Sequence, residues 1–339
     1  MADHSAIEWT DATWNPVVGC SLASPGCTNC YAMPMARRIE AMQPGSHYAG
    51  TTKVVNGKPV WAGKVALAPE QILTQPLRWR RPRKIFVNSM GDLFHESVPD
   101  EWIDRVFAVM ALCPQHTFQV LTKRSARMRA YLTTPFRVDR IFQASWPLGE
   151  GSPLTPQQYA DRAHLGPPGR KDSVFNRWPL ANVWLGVSTE DQRRADERRD
   201  DLAALAATGW NTFASYEPAL GPIDWTGWDF LKWLIAGGES GPHARPSHPD
   251  WYRASRGFCA PRGIAFFFKQ WGEWAIETPR AGGDLGADLR AGQVRHVCRD
   301  RENDGHFREG DRYMRRVGKA RAGRLLDGVE HNGMPEVRT

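Results

Sequence analysis

No run of apolar residues in this chain approaches the roughly 18 needed to cross a bilayer as a helix. The stretch from Met1 to Trp14 has no apolar segment of the kind a secretory signal carries. The expectation is a cytoplasmic protein with no membrane partner. No internal repeat, P-loop or dinucleotide-binding glycine fingerprint is present, which removes the usual sequence grounds for a solenoid or a nucleotide-driven enzyme. Cysteine is sparse, with six in 339 residues, and a cytosolic chain of this size has little use for disulfides. Disorder is excluded as well, because 41% of residues are hydrophobic and 15 are tryptophan. Such a chain can bury a sizeable core. Lys and Arg exceed Asp and Glu by 44 to 37, giving +7, an excess compatible with a nucleic-acid partner.

The scarce cysteines are not scattered. Cys20, Cys27 and Cys30 fall in one stretch, Gly19-Cys20-Ser-Leu-Ala-Ser-Pro-Gly26-Cys27-Thr-Asn-Cys30-Tyr31. Pro25 and Gly26 favour a tight loop on which thiolates converge. Three thiolates suit an iron–sulfur cluster with one iron left open. They also suit zinc, given a fourth ligand such as His47 or His95. A third reading is three buried structural cysteines.

Downstream, the pattern alternates between strands and helices. Strands are expected over 84–89, 116–122, 182–188, 211–216, 231–236 and 264–268. Helices are expected over 31–41, 99–112, 125–132, 192–207 and 249–260, with a short one over 69–79. Residues 45–63 read as a loop, and residues 133–180 as a long insertion rich in Pro and Gly. This alternation argues for an α/β fold with parallel strands. The strands run out into polar residues: Ser89 and Asp92, Thr122 and Lys123, Ser188 and Glu190, Glu217, Glu239, and Lys269. In parallel α/β barrels chemistry collects at such ends. His95-Glu96 is either an acid/base pair or part of a surface loop.

The segments Asn15-Pro16-Val-Val-Gly19-Cys20 and Gly26-Cys27-Thr-Asn-Cys30-Tyr31-Ala32 resemble the cluster loop of radical S-adenosylmethionine (SAM) enzymes of the spore photoproduct lyase-like group. The gap of six residues between Cys20 and Cys27 is wider than the usual three. Nearly the whole chain also resembles a phage and prophage family of unknown function with a three-cysteine motif. That likeness is carried by Phe86-Val-Asn-Ser-Met-Gly-Asp-Leu-Phe-His95, Gln119-Val-Leu-Thr-Lys-Arg124, Trp184-Leu-Gly-Val-Ser188, Gly237-Gly-Glu-Ser-Gly241 and Phe267-Phe-Lys-Gln-Trp-Gly-Glu-Trp274.

The resemblance implies a partial (β/α)6-type radical SAM barrel over 1–277, with a cluster loop at 15–32 and the insertion at 133–180. A basic, irregular Gly- and Arg-rich extension would follow over 278–339. Cys20, Cys27 and Cys30 would ligate a [4Fe-4S] cluster whose open iron binds SAM. Reduction by an electron donor would then release a 5′-deoxyadenosyl radical. Ser89 and Asp92 would meet the SAM amino group. Thr122, Lys123, Ser188 and Glu190 would meet its ribose or carboxylate, with Glu217 and Glu239 lining the same mouth. Tyr216, Cys259 and Cys298 are candidate hydrogen-atom donors.

Two basic segments, Arg78-Trp-Arg-Arg-Pro-Arg-Lys84 and the zone from Arg312 to Arg324, are of a kind that grips phosphate backbones or simply stays solvated. The net positive charge, the 15 tryptophans and the resemblance to the spore photoproduct lyase-like group together make a nucleic-acid (DNA or RNA) or nucleotide base the expected substrate, in repair or hypermodification. A peptide or small metabolite is a further possibility. The alternative function is a zinc-stabilised nucleic-acid- or partner-binding protein with an inactive barrel.

Overall fold

The computed structural model describes residues 5, 7–145, 177–277, 284–300, 303 and 306–336. Seven strands form one sheet: β1 (Ala12–Trp14), β2 (Lys84–Val87), β3 (Thr117–Thr122), β4 (Val183–Ser188), β5 (Asn211–Tyr216), β6 (Trp233–Gly237) and β7 (Ala265–Gln270). Spatial order equals chain order, and every neighbouring pair is parallel. The sheet curls into a half-barrel. With no reversal of order, all seven carboxyl ends share one rim.

Six of these strands lie where the alternation put them. β1 is the addition, three residues paired Ala12 to Ile85 and Trp14 to Val87. It is too short to show a period in sequence. Its consequence is positional: the cysteine loop leaves the carboxyl end of the first strand, on the same rim as the other strand ends.

Side chains alternate across the sheet as a pleat requires. Ile85, Val87, Phe118, Val120, Leu185, Val187, Ala214, Tyr216, Leu234 and Phe268 face outward into the larger core. The first helix, α1 (Ala32–Met42), stands apart beside the loop, while over these residues pack α2 (Asp100–Ala111), α3 (Ser125–Thr133), α4 (Arg137–Ser145), α5 (Gln192–Ala207) and α6 (Pro249–Cys259) to differing extents. α5 starts at Asp191, whose carboxylate accepts from the Arg194 amide at 2.9 Å, an N-cap worth about 1 kcal/mol. The inner face carries Phe86, Trp184, Phe213, Trp233, Ile235 and Phe267. Trp9, from the segment before β1, spans this interior. It meets Phe86 at 4.9 Å and Trp233 at 5.9 Å, both edge-on.

Three regions differ from expectation. Residues 45–63 contain a β-hairpin, Thr52–Val55 paired with Lys58–Trp61. Its turn is Asn56-Gly57, with φ of 49° and 74°, the pair that two-residue hairpins favour. The insertion opens with an ordered helix, α4. The buried Arg137 of α4 donates to Asp104 and Asp100 at 2.8 Å each and lies 3.8 Å over the Tyr131 ring. Residues 146–176 of the insertion lie outside the described residues.

The C-terminal extension is not irregular. β8 (Trp274–Ile276), β9 (Val294–Val297) and β10 (Arg312–Arg316) form an antiparallel sheet in the order β8-β10-β9. The chain end then runs antiparallel along β7, with the Phe268 amide on the His331 carbonyl and the Gly333 amide on the Phe266 carbonyl, each at 2.9 Å. This covers an edge that would otherwise be open to pairing.

The basic zone of the extension is largely engaged within the chain. Arg315 pairs with Glu277 and Asp288, Lys319 with Glu8, and Arg316 donates to the Gly241 carbonyl. The earlier run, with Arg78, Arg80 and Arg81 exposed, leads into the amino end of β2, on the face opposite the rim. Among the described residues no helix is long and apolar enough to cross a membrane.

Candidate functional site

A cavity of about 300 Å³ opens at the carboxyl rim. Its floor is Trp9, Phe86 and Leu121, and its walls include Cys20, Cys27, Cys30, Ser89, Asp92, Thr122, Lys123, Ser188, Glu217 and Glu239. The structure thus brings together the three cysteines and eight of the nine predicted rim residues, Lys269 among them. The ninth, Glu190, lies just behind the wall.

The cysteine loop is held against the rim at several points. At its start, Gly19 has φ +90° and its amide donates to the Met90 carbonyl at 3.1 Å. A Cβ there would lie 2.1 Å from the Lys64 carbonyl oxygen, so only glycine fits. Beyond β3, Arg124 donates to Ser21 Oγ at 2.7 Å and approaches Cys20 Sγ at 3.7 Å. The same guanidinium reaches Asp92 at 3.0 Å and both oxygens of Glu96.

Beyond β4, Glu190 accepts from Ser24 Oγ at 2.6 Å and from Lys123 and Arg198 at 2.9 and 2.8 Å. Gly26 sits against this carboxylate, and an added Cβ would fall 2.5 Å from its oxygen. Beyond β6, Glu239 accepts from Asn29 at 3.0 Å and from Arg245, and Arg245 also reaches the Pro25 carbonyl at 3.0 Å.

Electrostatics follow from this enclosure. Burial alone would raise Glu190, but Lys123, Arg198 and Ser24 outweigh it and hold the carboxyl at about 2. Glu190 is therefore ionised throughout the physiological range. Burial, reinforced by Asp92, pushes the Cys20 thiol up to about 12 despite Arg124, and burial raises Cys30 as well. Two of the three sulfurs have a donor within hydrogen-bond reach: Arg124 on Cys20 at 3.7 Å and the Ala23 amide on Cys27 at 3.5 Å. These would stabilise thiolates once a metal displaces the protons.

The predicted residues divide into two kinds. Asp92 is saturated, accepting from Thr122 Oγ1 at 2.7 Å, the Lys123 and Phe94 amides and Arg124. It braces the rim, as do Glu190 and Glu239. Glu217 faces the cavity paired with Lys269 at 2.7 Å. Ser89, whose hydroxyl donates to Asn15 at 3.1 Å, and Ser188 line it too.

The proposed hydrogen-atom donors are not gathered there. Tyr216 sits on the outward parity of β5, buried and donating to the Gly221 carbonyl, while its neighbour Ser215 points into the cavity. Cys259 ends α6 in the outer core, its thiol pushed up to about 12 by burial. Cys298 lies in the extension. His95 is buried rather than in a surface loop. Its Nδ1 accepts from the Ser97 amide, so Nε2 bears the proton and meets Ser21 Oγ at 2.9 Å. Burial, then the Arg124 charge, lowers its basicity. It is a neutral brace of the cysteine loop. Its partner in the expected acid/base pair, Glu96, is bound by Arg124. His47 does not line the cavity.

Sequence reasoning missed Arg124, which joins Cys20, Ser21, Asp92 and Glu96. Its signal was its place one residue beyond Lys123 at a strand end. It also missed Asn29 and Arg245 as structural partners of Glu239, and it placed Lys269 at a strand end without its pairing to Glu217.

Compared with known families, residues 4–335 match the family described as Protein of unknown function (DUF5131). No curated protein and no solved structure matches the chain.

Proposed function

Since the chain belongs to the DUF5131 family, whose description supplies no activity, we propose its function from the pocket itself: a radical SAM enzyme acting on a nucleic-acid or nucleotide base. One observation carries this reading. A three-cysteine loop leaves the first strand of a parallel half-barrel and is pinned across the mouth of a cavity by residues from the second, third, fourth and sixth strand ends.

The donor set fits a [4Fe-4S] cluster. All three cysteines line one cavity, and Cys20 and Cys27 each have a hydrogen-bond donor on sulfur. The described residues contain one tight group of potential metal ligands, and it is not these cysteines. A single tetrahedral ion draws thiolates to within about 4 Å of one another, whereas cluster thiolates sit on separate irons. Cys20, Cys27 and Cys30 would hold the cluster. Bound with SAM, it would supply reductive cleavage to a 5′-deoxyadenosyl radical.

The chain's own contribution is position and charge. Arg124 holds Cys20 and Ser21, Glu190 holds Ser24, and Glu239 with Arg245 holds Asn29 and Pro25. The Glu217–Lys269 pair offers adjacent opposite charges to the zwitterionic end of SAM. Ser89 and Ser188 offer hydroxyls to its polar groups. Trp9 and Phe86 on the floor, with Tyr31 and Trp61 on the walls, give faces on which a base stacks. The +7 charge suits a nucleic acid.

The test is a gel shift on single- and double-stranded DNA and RNA across a salt series, followed by assay for a SAM- and dithionite-dependent change in a bound base. Salt-sensitive binding with a modified base supports the assignment. Production of 5′-deoxyadenosine with no nucleic-acid binding would move the substrate to a peptide or small metabolite.

A further inference from the structure

We infer that the C-terminal sheet carries a zinc site formed by His296, Cys298 and Asp311, separate from the cysteine loop and from the reading proposed for it. The imidazole nitrogen, thiol and carboxylate of these residues lie within 4.8 Å of one another, in the one such group among the described residues. His296 Nε2 stands 2.9 Å from Asp311 Oδ2 and 3.8 Å from Cys298 Sγ. A zinc ion at 2.0–2.3 Å from each ligand sets ligand atoms roughly 3.3–3.8 Å apart. The group therefore approaches a tetrahedral site, the His296–Asp311 pair opening by about 0.4 Å and the remaining separations lying within 4.8 Å before any ion draws them in. Mixed imidazole, thiolate and carboxylate donors select zinc over hard cations such as calcium and magnesium.

The surroundings orient the ligands as supporting contacts do around metal sites. Asp311 Oδ1 accepts from the Arg299 amide at 3.2 Å and Oδ2 from the Arg308 amide at 2.9 Å. The His296 ring packs against both Phe307, with centroids 5.3 Å apart, and Tyr313, at 5.7 Å, two rings that stack on each other at 4.9 Å. Cys298 and Asp311 are buried, so a bound ion is largely shielded from water.

The location gives the ion a structural task. His296 lies on β9, and Asp311 immediately precedes β10, so zinc links two paired strands. The same corner docks on the barrel: His248 Nε2 donates to the Gly310 carbonyl at 2.9 Å, its Nδ1 accepting from the Asp250 amide, and Trp251 Nε1 donates to the Arg299 carbonyl at 2.6 Å. β10 in turn holds the Gly241 loop through Arg316. Three protein ligands leave a fourth position for water.

The test loads full-length protein with zinc under reducing conditions, desalts it, and measures zinc by elemental analysis in wild type, Cys298→Ser and Cys27→Ala. About one zinc per chain is expected in wild type and Cys27→Ala, with near-complete loss in Cys298→Ser. No zinc retained by wild type, or equal zinc in Cys298→Ser, would overturn the site. Should Cys298→Ser fail to fold, zinc-edge X-ray absorption on Cys27→Ala decides. One sulfur with nitrogen and oxygen neighbours supports the assignment, and two sulfurs or none refutes it.

Discussion

Glu190 offers the sharpest test of how the cysteine loop is held. Its carboxylate has no exposed surface and ties Ser24 of the loop to Lys123 and Arg198. The folded carboxyl sits at about 2 against an ordinary value of 4.5. At 1.36 kcal/mol per unit, ionisation contributes about 3 kcal/mol to folding. The sign follows from the depressed value: this stability is present above pH 4.5 and is lost as pH falls towards 2. By pH 3 about 2 kcal/mol of it is gone. Glu190→Gln removes the titration and leaves Lys123 and Arg198 facing a neutral amide. Urea unfolding of wild type and variant should therefore differ by about 3 kcal/mol or more at pH 7. The gap should close by about 2 kcal/mol at pH 3. The variant should also load less iron, because Ser24 and Gly26 lose their anchor. A gap that is constant with pH would refute the assignment of Glu190 as the ionised clamp.

Other outcomes follow from the same contacts. Cys27→Ala should stay folded yet bind no cluster and yield no 5′-deoxyadenosine. Gly26→Ala should cost about 1–3 kcal/mol in thermal or urea unfolding, since its Cβ meets the Glu190 carboxylate. Arg124→Gln should destabilise by about 3–5 kcal/mol, because Asp92 is left as a buried, uncompensated charge. It should also make the cluster harder to reduce, read by potentiometric titration, through loss of a donor to Cys20. Iron loading should release protons and strengthen from pH 6 to 9, because Cys20 and Cys30 enter as buried thiols. A flat loading curve over that range would contradict thiolate ligation by this pair.

Much of the fold was legible because the strands are apolar runs ending in polar residues at regular intervals. β1 escaped notice because three residues carry no period. The hairpin over Thr52–Trp61 was lost in a polar, glycine-rich stretch, although Asn56-Gly57 marked it. The extension defeated composition: its arginines resemble a solvated tail, and only tertiary pairing with Glu277, Asp288 and Glu8 reveals a sheet.

The site was legible as a set of positions and less so as a set of roles. Strand ends identify which carboxylates reach the rim, but not which of them are consumed in bracing it. Asp92, Glu190 and Glu239 brace the loop, while Glu217 faces the cavity with Lys269. Side-chain parity on β5 puts Ser215 inward and Tyr216 outward, a distinction that depends on knowing which face of the sheet is concave.

The most direct measurement of the central claim is iron and sulfide content after anaerobic reconstitution, followed by incubation with dithionite and SAM. The account predicts about four irons and four sulfides per chain, with 5′-deoxyadenosine formed by wild type and absent in Cys27→Ala. Zinc bound by the cysteine loop, no sulfide and no 5′-deoxyadenosine would contradict it, and the loop would then be a structural metal clasp on an inactive barrel.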